Sequence, residues 1–330
     1  MDNYSDVLHQ MRQFGIELLD KDLPLAIDTP KRKTCGKGGK AWYKLYTFRP
    51  RAGGQLVLGW FGSYRNGGSE AKVDVDWKPL SDAERERFRL EREAAQARAD
   101  EERARAVELA AKRAIEIWRD ATPEGFSPYL QRKGLEGESC RYLPDGTLVI
   151  PLLRYDLPRA EALQAVQRVL PDGRKFFTAG FRKPRCAVRL GAMDPAPKLI
   201  LVCEGYATGL SIRLGVDRAF PVFVALDAGN LAHVVPMLRE LYPLVRLLIC
   251  ADDDWKTFDP ANGRLTNPGK TAAKTVAREV AGCDLVWPVF DPATRLDGDT
   301  DFDDLRQRQG LGVVRRQLHG VINAMGRVYG

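Results

Sequence analysis

The C-terminal part of this 330-residue chain predicts an α/β domain with a parallel sheet and helices on both faces. Two apolar runs that end in carboxylates carry the prediction: Lys198-Leu-Ile-Leu-Val-Cys-Glu-Gly205 and Leu247-Leu-Ile-Cys-Ala-Asp-Asp-Asp254. Continuous apolar runs are typical of strands that are buried on both faces. The segments alternate as strands at 198–203, 221–226, 245–251 and 284–290, with helices at about 207–215, 230–241 and 269–281 and a last helix at about 312–327.

Carboxylates are expected to gather at one edge of this sheet. Glu204, Asp252 and Asp254 each follow a predicted strand, and parallel strands bring their carboxyl ends to the same edge. Like charges at that edge repel one another unless a cation holds them together. We expect Mg²⁺, with Mn²⁺ as an alternative, because the donors are oxygens and neither His nor Cys accompanies them. No zinc is expected, since the chain has no CxxC pair.

Residues 1–80 predict a small, mostly-β module, because the runs Trp42 to Phe48 and Gln55 to Phe61 are separated by Gly-rich turns. Its basic residues alternate with aromatic ones, which suits either binding of nucleic acid or a solvated hairpin surface. These basic residues are Lys31, Arg32, Lys33, Lys37, Lys40, Lys44, Arg49 and Arg51.

Residues 81–120 begin with a capping-box pattern at Ser81 and Glu84 and predict a long charged helix that acts as a linker.

Residues 121–197 predict a basic α+β subdomain with a short helix at 128–134 and strands at 147–153, 163–170 and 175–177. The net charge is +7, and basic and acidic residues balance at sixteen each from Lys198 onwards, so the excess positive charge lies upstream. This distribution favours a surface for nucleic acid or nucleotide phosphates, although arginine and lysine also commonly solvate surface hairpins. The candidate residues are Arg154, Arg168, Arg174, Lys175, Arg182, Lys183 and Arg185.

The N-terminus is polar and acidic, and no run approaches the roughly 20 apolar residues of a membrane span. We therefore expect a cytoplasmic protein without a membrane partner.

Four motifs carry a resemblance to a known family. They are Glu204-Gly205, Asp252-Asp-Asp254, Gly269-Lys-Thr-Ala-Ala273 and Asp301-Phe-Asp-Asp-Leu305. In this order they resemble the Toprim domain of bacterial-type DNA primases and of type IA and II topoisomerases, and most of all the bacterial replicative, DnaG-like primases. The resemblance covers about 125–310 and implies a Toprim catalytic domain over 198–310, followed by a C-terminal helix at 311–330. The missing zinc ribbon and helicase-binding domain, with an insertion at 255–266, favour a variant from a plasmid, phage or mobile element.

The resemblance implies a primase that makes short RNA primers on single-stranded DNA. Asp252 and Asp254 would bind the metal, and Glu204 would hold a second metal or accept the hydroxyl proton. Asp301 and Asp303 would complete the metal shell, although they equally suit the acidic first turn of a helix. The implied partners are single-stranded DNA, nucleoside triphosphates and a replicative helicase or other replication protein. A Toprim-type nuclease and a non-catalytic DNA-binding replication accessory stay open as alternatives.

The run Asn267-Pro-Gly-Lys-Thr271 is similar to the end of a phosphate-binding loop. However, five residues separate Gly263 from Gly269 where that motif requires four. We therefore interpret Gly269 as the start of a helix, with Lys270 and Lys274 facing nucleotide phosphates or solvent.

Overall fold

The computed structural model describes residues 3–29, 31–49, 54–64, 69–75, 82–194, 196–258 and 263–328. The chain divides into two compact units, residues 1–101 and residues 102–330. Two residues of the sequence predictions, Ser81 and Arg51, lie outside the described residues.

The first unit contains a four-stranded antiparallel sheet in the order β1-β2-β3-β4. Its elements are α1 (Tyr4–Gln13), β1 (Lys33–Cys35), β2 (Ala41–Phe48), β3 (Leu56–Ser63) and β4 (Ser69–Lys72), followed by α2 (Asp82–Asp120), which continues into the second unit. Met11, Leu45 and Leu58 are fully buried in its core. The predicted mostly-β module and long charged helix are therefore both present.

The second unit is built on one large sheet with helices on both faces. The strands of this sheet are β5 (Arg141–Tyr142), β6 (Leu148–Arg154), β7 (Leu163–Val169), β8 (Lys175–Phe177), β9 (Cys186–Leu190), β10 (Leu199–Cys203), β11 (Val222–Val224), β12 (Arg246–Cys250) and β15 (Cys283–Val286). Two further strands, β13 (Thr257–Phe258) and β14 (Leu265–Thr266), form a separate antiparallel pair. The helices of this unit after α2 are α3 (Pro128–Lys133), α4 (Tyr206–Gly215), α5 (Ala228–Leu241), α6 (Pro268–Glu279), α7 (Phe302–Gln309) and α8 (Leu311–Val328).

The large sheet is mixed, because the strands predicted to be parallel continue into the strands of the α+β segment 121–197. Strands β15, β12, β10 and β11 are parallel neighbours, as predicted. Beyond β11 the order continues through β9, β6, β7 and β8, and these strands pair antiparallel. Strand β9 covers the outer edge of β11, whose backbone groups would otherwise lack partners. The basic subdomain at 121–197 and the α/β domain from residue 198 onwards therefore share one continuous sheet.

Side-chain alternation along β10 explains its continuous apolar run. Leu199, Leu201 and Cys203 belong to the core under α3, α4, α7 and α8. Ile200 and Val202 belong to the core under α5 and α6 on the other face. Because both faces are covered by helices, no polar side chain is needed within the strand.

Candidate active site at the carboxyl edge of the sheet

The candidate site lies where β10 and β12 end. The two strands are parallel, with Cys203 paired to Cys250, so Glu204 and Asp252 leave the sheet side by side at one edge. The carboxylate of Asp254 accepts a hydrogen bond of 2.8 Å from the backbone N–H of Gly269 at the start of α6. A Cβ atom at Gly269 would lie 2.6 Å from the carbonyl oxygen of Asp252, so only glycine allows this approach.

Two carboxylate oxygens at this edge are buried without a partner. They are Oε1 of Glu204 and Oδ1 of Asp252, neither of which has a hydrogen bond within the part of the chain that the structure describes. Burial raises the pKa of Glu204 to about 7, and the charges of Asp254 and Asp227 add to the effect. Burial also raises the pKa of Asp252 well above its usual range, reinforced by Glu204 and Asp301. Buried, unpartnered carboxylates fit a divalent cation, which would supply the missing contacts.

Asp301 belongs to the same edge and is held in a fixed orientation. It caps α7, where its Oδ1 accepts hydrogen bonds from the backbone N–H groups of Asp303 and Asp304, at 2.7 and 2.8 Å. Its Oδ2 accepts a hydrogen bond of 2.6 Å from the hydroxyl of Thr208 on α4. Burial and the charge of Asp304 raise the pKa of Asp301 to about 6, against the hydrogen bond from Thr208.

Asp303, in contrast, is fully buried and has partners for both oxygens. It accepts hydrogen bonds of 2.8 Å from Ser211, Arg306 and Gln307, and it forms an ion pair with Lys133. Although burial opposes ionisation, Lys133 and the other donors hold its pKa below the usual range. Asp301, Asp303 and Asp304 can each present an oxygen within 4.8 Å of the others. The contacts of Asp303 nevertheless favour a structural role that joins α3, α4 and α7.

Asp253, like Asp303, is a carboxylate whose oxygens are paired with neighbouring side chains. It accepts hydrogen bonds from Lys270 at 2.7 Å, Arg295 at 3.0 Å and Asn267 at 2.7 Å. Asn267 also caps α6, which begins at Pro268, so the interpretation of Gly269 as part of a helix start is confirmed. The positive charge of Lys270 is directed at Asp253, while Lys274 is exposed and lies over Trp287.

Two of the predicted basic residues lie close to acidic side chains of this edge. Lys175 lies on β8 with an exposed side chain. Its pKa is lowered, mainly by the surrounding protein atoms and also by Lys133, while the charges of Asp301, Asp303 and Asp252 oppose the shift. Lys183 forms an ion pair with Asp227, the capping residue of α5. Asp227 in turn contributes to the raised pKa of Glu204, so Lys183 lies beside the same edge.

Arg168 lies on the opposite face of the sheet from Lys175. Lys175 pairs with Val169, which belongs to the core under α4 and α7. Arg168 pairs with Phe176 and shares the face of Val166, which packs against α2. Paired residues on neighbouring strands share a face, and successive residues alternate.

The remaining basic candidates are engaged locally or exposed. Arg174 pairs with Asp172 at 2.7 Å in the turn before β8. Arg154 forms two hydrogen bonds with Asp156, at 2.7 and 2.6 Å. Arg185 pairs with Asp156 and Glu240, and Arg182 is exposed. Their proposed contacts with nucleic acid stay predictions.

Comparison with known proteins gives the family of the acidic segment. Residues 199–312 match the family model of the Toprim domain. This segment is a Toprim domain. Two relatives named DNA primase TraC, both from Escherichia coli, are 31% identical over 230 and 229 residues, which is 67% of this chain in each case. The matched region spans 15% and 21% of the lengths of these relatives.

Solved structures that align with the chain include three primase domains. The primase fragment of the bacteriophage T7 primase-helicase is 14% identical, with a TM-score of 0.38, over 57% of this chain and 69% of that one. The DnaG primase catalytic domain bound to ssDNA is 16% identical, with a TM-score of 0.35, over 61% and 64%. A DNA primase domain from Pseudomonas aeruginosa is 16% identical, with a TM-score of 0.32, over 62% and 67%.

Use of a divalent metal is a property of Toprim domains, and the acidic edge provides oxygen donors for it. None of the helices in the described ranges is long and apolar enough to cross a membrane.

The sequence analysis missed several residues that interact with the carboxylates at the ends of β10 and β12 or at the start of α7. Asp227 follows the predicted strand 221–226 as Glu204 follows its own strand, so the same pattern could have found it. Thr208, Lys133 and Arg295 had no such signal, because their contacts with Asp301, Asp303 and Asp253 join residues 42 to 170 positions apart.

Proposed function

We propose that this chain carries the catalytic centre of a DNA primase that synthesises short RNA primers on single-stranded DNA. The observation that carries the proposal is the convergence of Glu204, Asp252 and Asp254 at one sheet edge, with two buried oxygens that lack a partner. The similarity to the TraC primases supports the class of reaction. Because the match spans a small part of those relatives, the activity, substrates and partners of the whole protein belong to the proposal.

The proposed cofactor is Mg²⁺, with Mn²⁺ as an alternative. Glu204, Asp252, Asp254 and Asp301 would hold it, because all four are carboxylates at this edge and two have an unpartnered oxygen. When bound, the metal neutralises phosphate charge and makes the α-phosphate easier to attack. Asp303 is left out of this set, because it is fully buried and already paired with the cations Lys133 and Arg306, whereas the donors to Asp301 are neutral.

Glu204 is the proposed proton acceptor or ligand. In the metal-free protein its pKa is raised to about 7, and a nearby cation would lower that pKa, so a role as proton acceptor requires that the other carboxylates hold the metal. The same unpartnered oxygen would serve equally as a metal ligand. Thr208 orients the neighbouring Asp301 through a hydrogen bond of 2.6 Å, so that one of its oxygens keeps a fixed direction.

Lys175 and Lys183 are the proposed contacts for nucleotide phosphates. Lys175 is exposed and within electrostatic range of Asp252 and Asp301, so a phosphate at the metal would lie near its ammonium group. Lys183 is half-exposed and is paired with Asp227, from which a phosphate could draw it. Arg168, Arg174 and Arg182 remain candidates for steering the template strand at a greater distance.

Asp253 and Asp303 are proposed positioning residues. Asp253 connects the loop after β12 to α6 through Asn267 and Lys270, and to the later loop through Arg295. Asp303 connects α7 to α3 and α4. These ion pairs hold the two acidic loops in place against the repulsion between the unpartnered carboxylates.

The test is unprimed synthesis on mixed-sequence single-stranded DNA, with labelled nucleotides and Mg²⁺ or Mn²⁺. Glu204→Gln and Asp252→Asn should each reduce the yield of short products by at least about 100-fold, as expected for groups that act on the reacting centre. Glu279→Gln, an exposed residue in the last turn of α6, is the matched control and should keep full activity. Parallel reactions with ribonucleotides and deoxyribonucleotides test the choice of RNA.

Other results would redirect the proposal. A cut template without new strands would identify a nuclease, and an intact template without products would favour a non-catalytic accessory, provided that metal still raises thermal stability. Addition of a replicative helicase to the same reaction tests the proposed partner, whose effect should be a higher yield of primers. The proposed location is the cytoplasm.

A further inference from the structure

A second concave site lies in residues 102–330, on the face of the sheet opposite α4 and α7. It is a cavity of about 660 Å³ that opens to solvent, within the size range of small-ligand sites. Leu153 lines it and pairs with Ala187, which belongs to the core under α5. Its lining consists of Trp118, Pro151, Leu153, Arg154, Tyr155, Leu157, Arg159, Ala162, Leu163 and Arg189. None of the residues of the acidic edge takes part.

The cavity carries a net positive charge. Three arginines line it, and no Asp or Glu is among the lining residues. Asp156 lies beside the cavity, but Arg154 neutralises it through two hydrogen bonds and holds its pKa below the usual range. Within the described ranges, Arg159 and Arg189 form no ion pair with an acidic side chain, so their guanidinium groups are available to an anion.

Two aromatic rings give the cavity flat apolar surfaces. Tyr155 is held in place, because its hydroxyl accepts a hydrogen bond of 2.8 Å from the backbone N–H of Arg189 and its ring packs edge-on against Phe223. The guanidinium carbon of Arg189 lies 5.8 Å from the centre of the Tyr155 ring. Trp118 is positioned by Arg141, which lies 4.6 Å from the centre of its ring. Aromatic rings beside arginines are the combination that binds a base together with its phosphate.

We propose that this cavity binds one nucleotide of a single-stranded DNA, at a site separate from the acidic edge. The base would lie against Leu153, Trp118 and Tyr155, and the phosphate would contact Arg159 and Arg189. An extended acidic peptide fits less well, because β6 is already paired with β7 and β9 and offers no free edge for strand addition. The choice of single-stranded DNA as the ligand rests on the proposed function, whereas binding at this cavity requires neither metal nor catalysis.

The test measures binding of a fluorescent eight-residue oligothymidylate to the full chain by anisotropy, in EDTA and over a range of salt concentrations. The double variant Arg159→Gln, Arg189→Gln should bind about tenfold more weakly, and the slope of log K against log salt should fall by about 1 to 2. Arg316→Gln, an exposed arginine of α8 on the other face, is the matched control and should leave affinity and slope unchanged. Asp252→Asn should also bind normally, so that a failure of the proposed catalysis is distinguishable.

Trp118→Phe gives a second readout. The strand should quench tryptophan fluorescence less in this variant than in the unmodified protein, because Trp118 would no longer contribute. An unchanged affinity and salt slope in the double variant would overturn the proposal, as would an equal loss in Arg316→Gln. Binding of free thymidine monophosphate as tight as that of the strand, or binding of an acidic leucine-containing peptide that depends on Arg189 while the oligonucleotide is unaffected, would reassign the cavity.

Discussion

The two acidic stretches at the sheet edge, 252–254 and 301–304, contain the same kind of side chain in opposite situations. Asp252 has a buried oxygen without a partner and a raised pKa. Asp303 is buried more deeply, yet Lys133, Arg306 and Ser211 satisfy it and its pKa is lowered. The difference lies in what the neighbouring helices supply. A carboxylate is available for a metal where those helices bring no cation, and it becomes a structural brace where they do.

Each stretch contains one carboxylate whose pKa is raised and one that is paired with cations. In the first, Asp253 is braced by Lys270 and Arg295 between Asp252 and Asp254. In the second, Asp303 follows Asp301, whose pKa is raised to about 6. One acidic motif can therefore face the proposed metal site and the protein interior at once. We infer that the braces offset the repulsion among the free carboxylates.

Removal of the brace at Asp303 should have the largest effect on stability. Asp303→Ala leaves Lys133 and Arg306 without their buried partner, and the loss of such a partner typically costs about 3–5 kcal/mol of unfolding free energy. Asp252→Ala, in metal-free buffer, should cost less than about 1 kcal/mol or raise stability, because it removes a buried polar group that lacks a partner. Urea unfolding of both variants checks the comparison, and equal losses would show that the two carboxylates do not differ in this way.

Gly269→Ala should have the next largest effect on stability. The reason is that Gly269, at the start of α6, contacts both Asp252 and Asp254. The added Cβ would lie 2.6 Å from the Asp252 carbonyl oxygen and 3.1 Å from Oδ2 of Asp254, so the loop must shift. We expect a loss of about 1–3 kcal/mol in unfolding free energy. Metal affinity should fall by about 10- to 100-fold, as for other changes that disturb the support of ligands.

The control for Gly269→Ala is Gly320→Ala. Gly320 lies within α8, and apart from the neighbouring residues and backbone of that helix, no atom of the described residues lies within 4 Å of its added Cβ. Replacement by alanine should raise stability by about 0.5–1 kcal/mol through helix propensity and leave metal affinity unchanged. Thermal unfolding with and without Mg²⁺ measures both quantities. Similar metal affinities in the two variants would show that the contact at Gly269 does not position the edge.

Much of the fold was predictable, because it depends on local patterns. The apolar runs before Glu204 and Asp252 predicted two strands, and the structure confirms that they are parallel neighbours. The uninterrupted charged segment predicted α2 over almost its whole length. The antiparallel extension of the sheet was not predictable in this way. The pairing of Val222 with Leu190 joins strands whose order no local pattern specifies.

The site was predictable only in part, for the same reason. The sequence places Asp252, Asp253 and Asp254 side by side but does not show that Arg295 reaches Asp253 from 42 residues away. It also places Arg168 and Lys175 in one basic segment. Only the register of β7 and β8 shows that their side chains lie on opposite faces. Residue types therefore indicated the proposed chemistry, and long-range partners distinguish the carboxylates that are paired from those that are not.

The pH dependence of stability should reveal the unpartnered carboxylate of Glu204, with a smaller effect than the substitutions at Asp303 and Gly269. Folding raises the pKa of Glu204 from a usual value near 4.5 to about 7, so between these values the folded protein retains a proton that the unfolded chain has released. The stability from this group is present below pH 4.5 and is lost as the pH rises through 7. Metal-free protein should therefore be less stable at pH 8 than at pH 5.5, by on the order of 1 kcal/mol for this group.

Glu204→Gln removes that titration and keeps the shape of the side chain. At pH 8 the variant should be more stable than the unmodified protein in EDTA, and its stability should change less between pH 5.5 and pH 8. Mg²⁺ should stabilise the unmodified protein and have little effect on the variant. Thermal unfolding at the two pH values provides the measurement, with Glu279→Gln as the control. A pH dependence unchanged by Glu204→Gln would assign the effect to another group.

Lys175 should give the smallest effect and one of opposite sign for the two ligands. Its ammonium group lies within electrostatic range of Asp252 and Asp301 but remains exposed, so solvent screens it. Lys175→Met removes a positive charge, and Mg²⁺ should bind about two- to threefold more tightly, as expected for about 0.5 kcal/mol of relieved repulsion. A nucleoside triphosphate should bind more weakly, because a phosphate contact is lost.

The control is Arg174→Met, which should change neither affinity. Arg174 is next in sequence but is paired with Asp172 in a solvent-exposed turn. Calorimetric titrations with Mg²⁺ and with the triphosphate would separate these outcomes. If Lys175→Met weakened both ligands, the lysine would belong with the braces rather than with the groups that contact substrate.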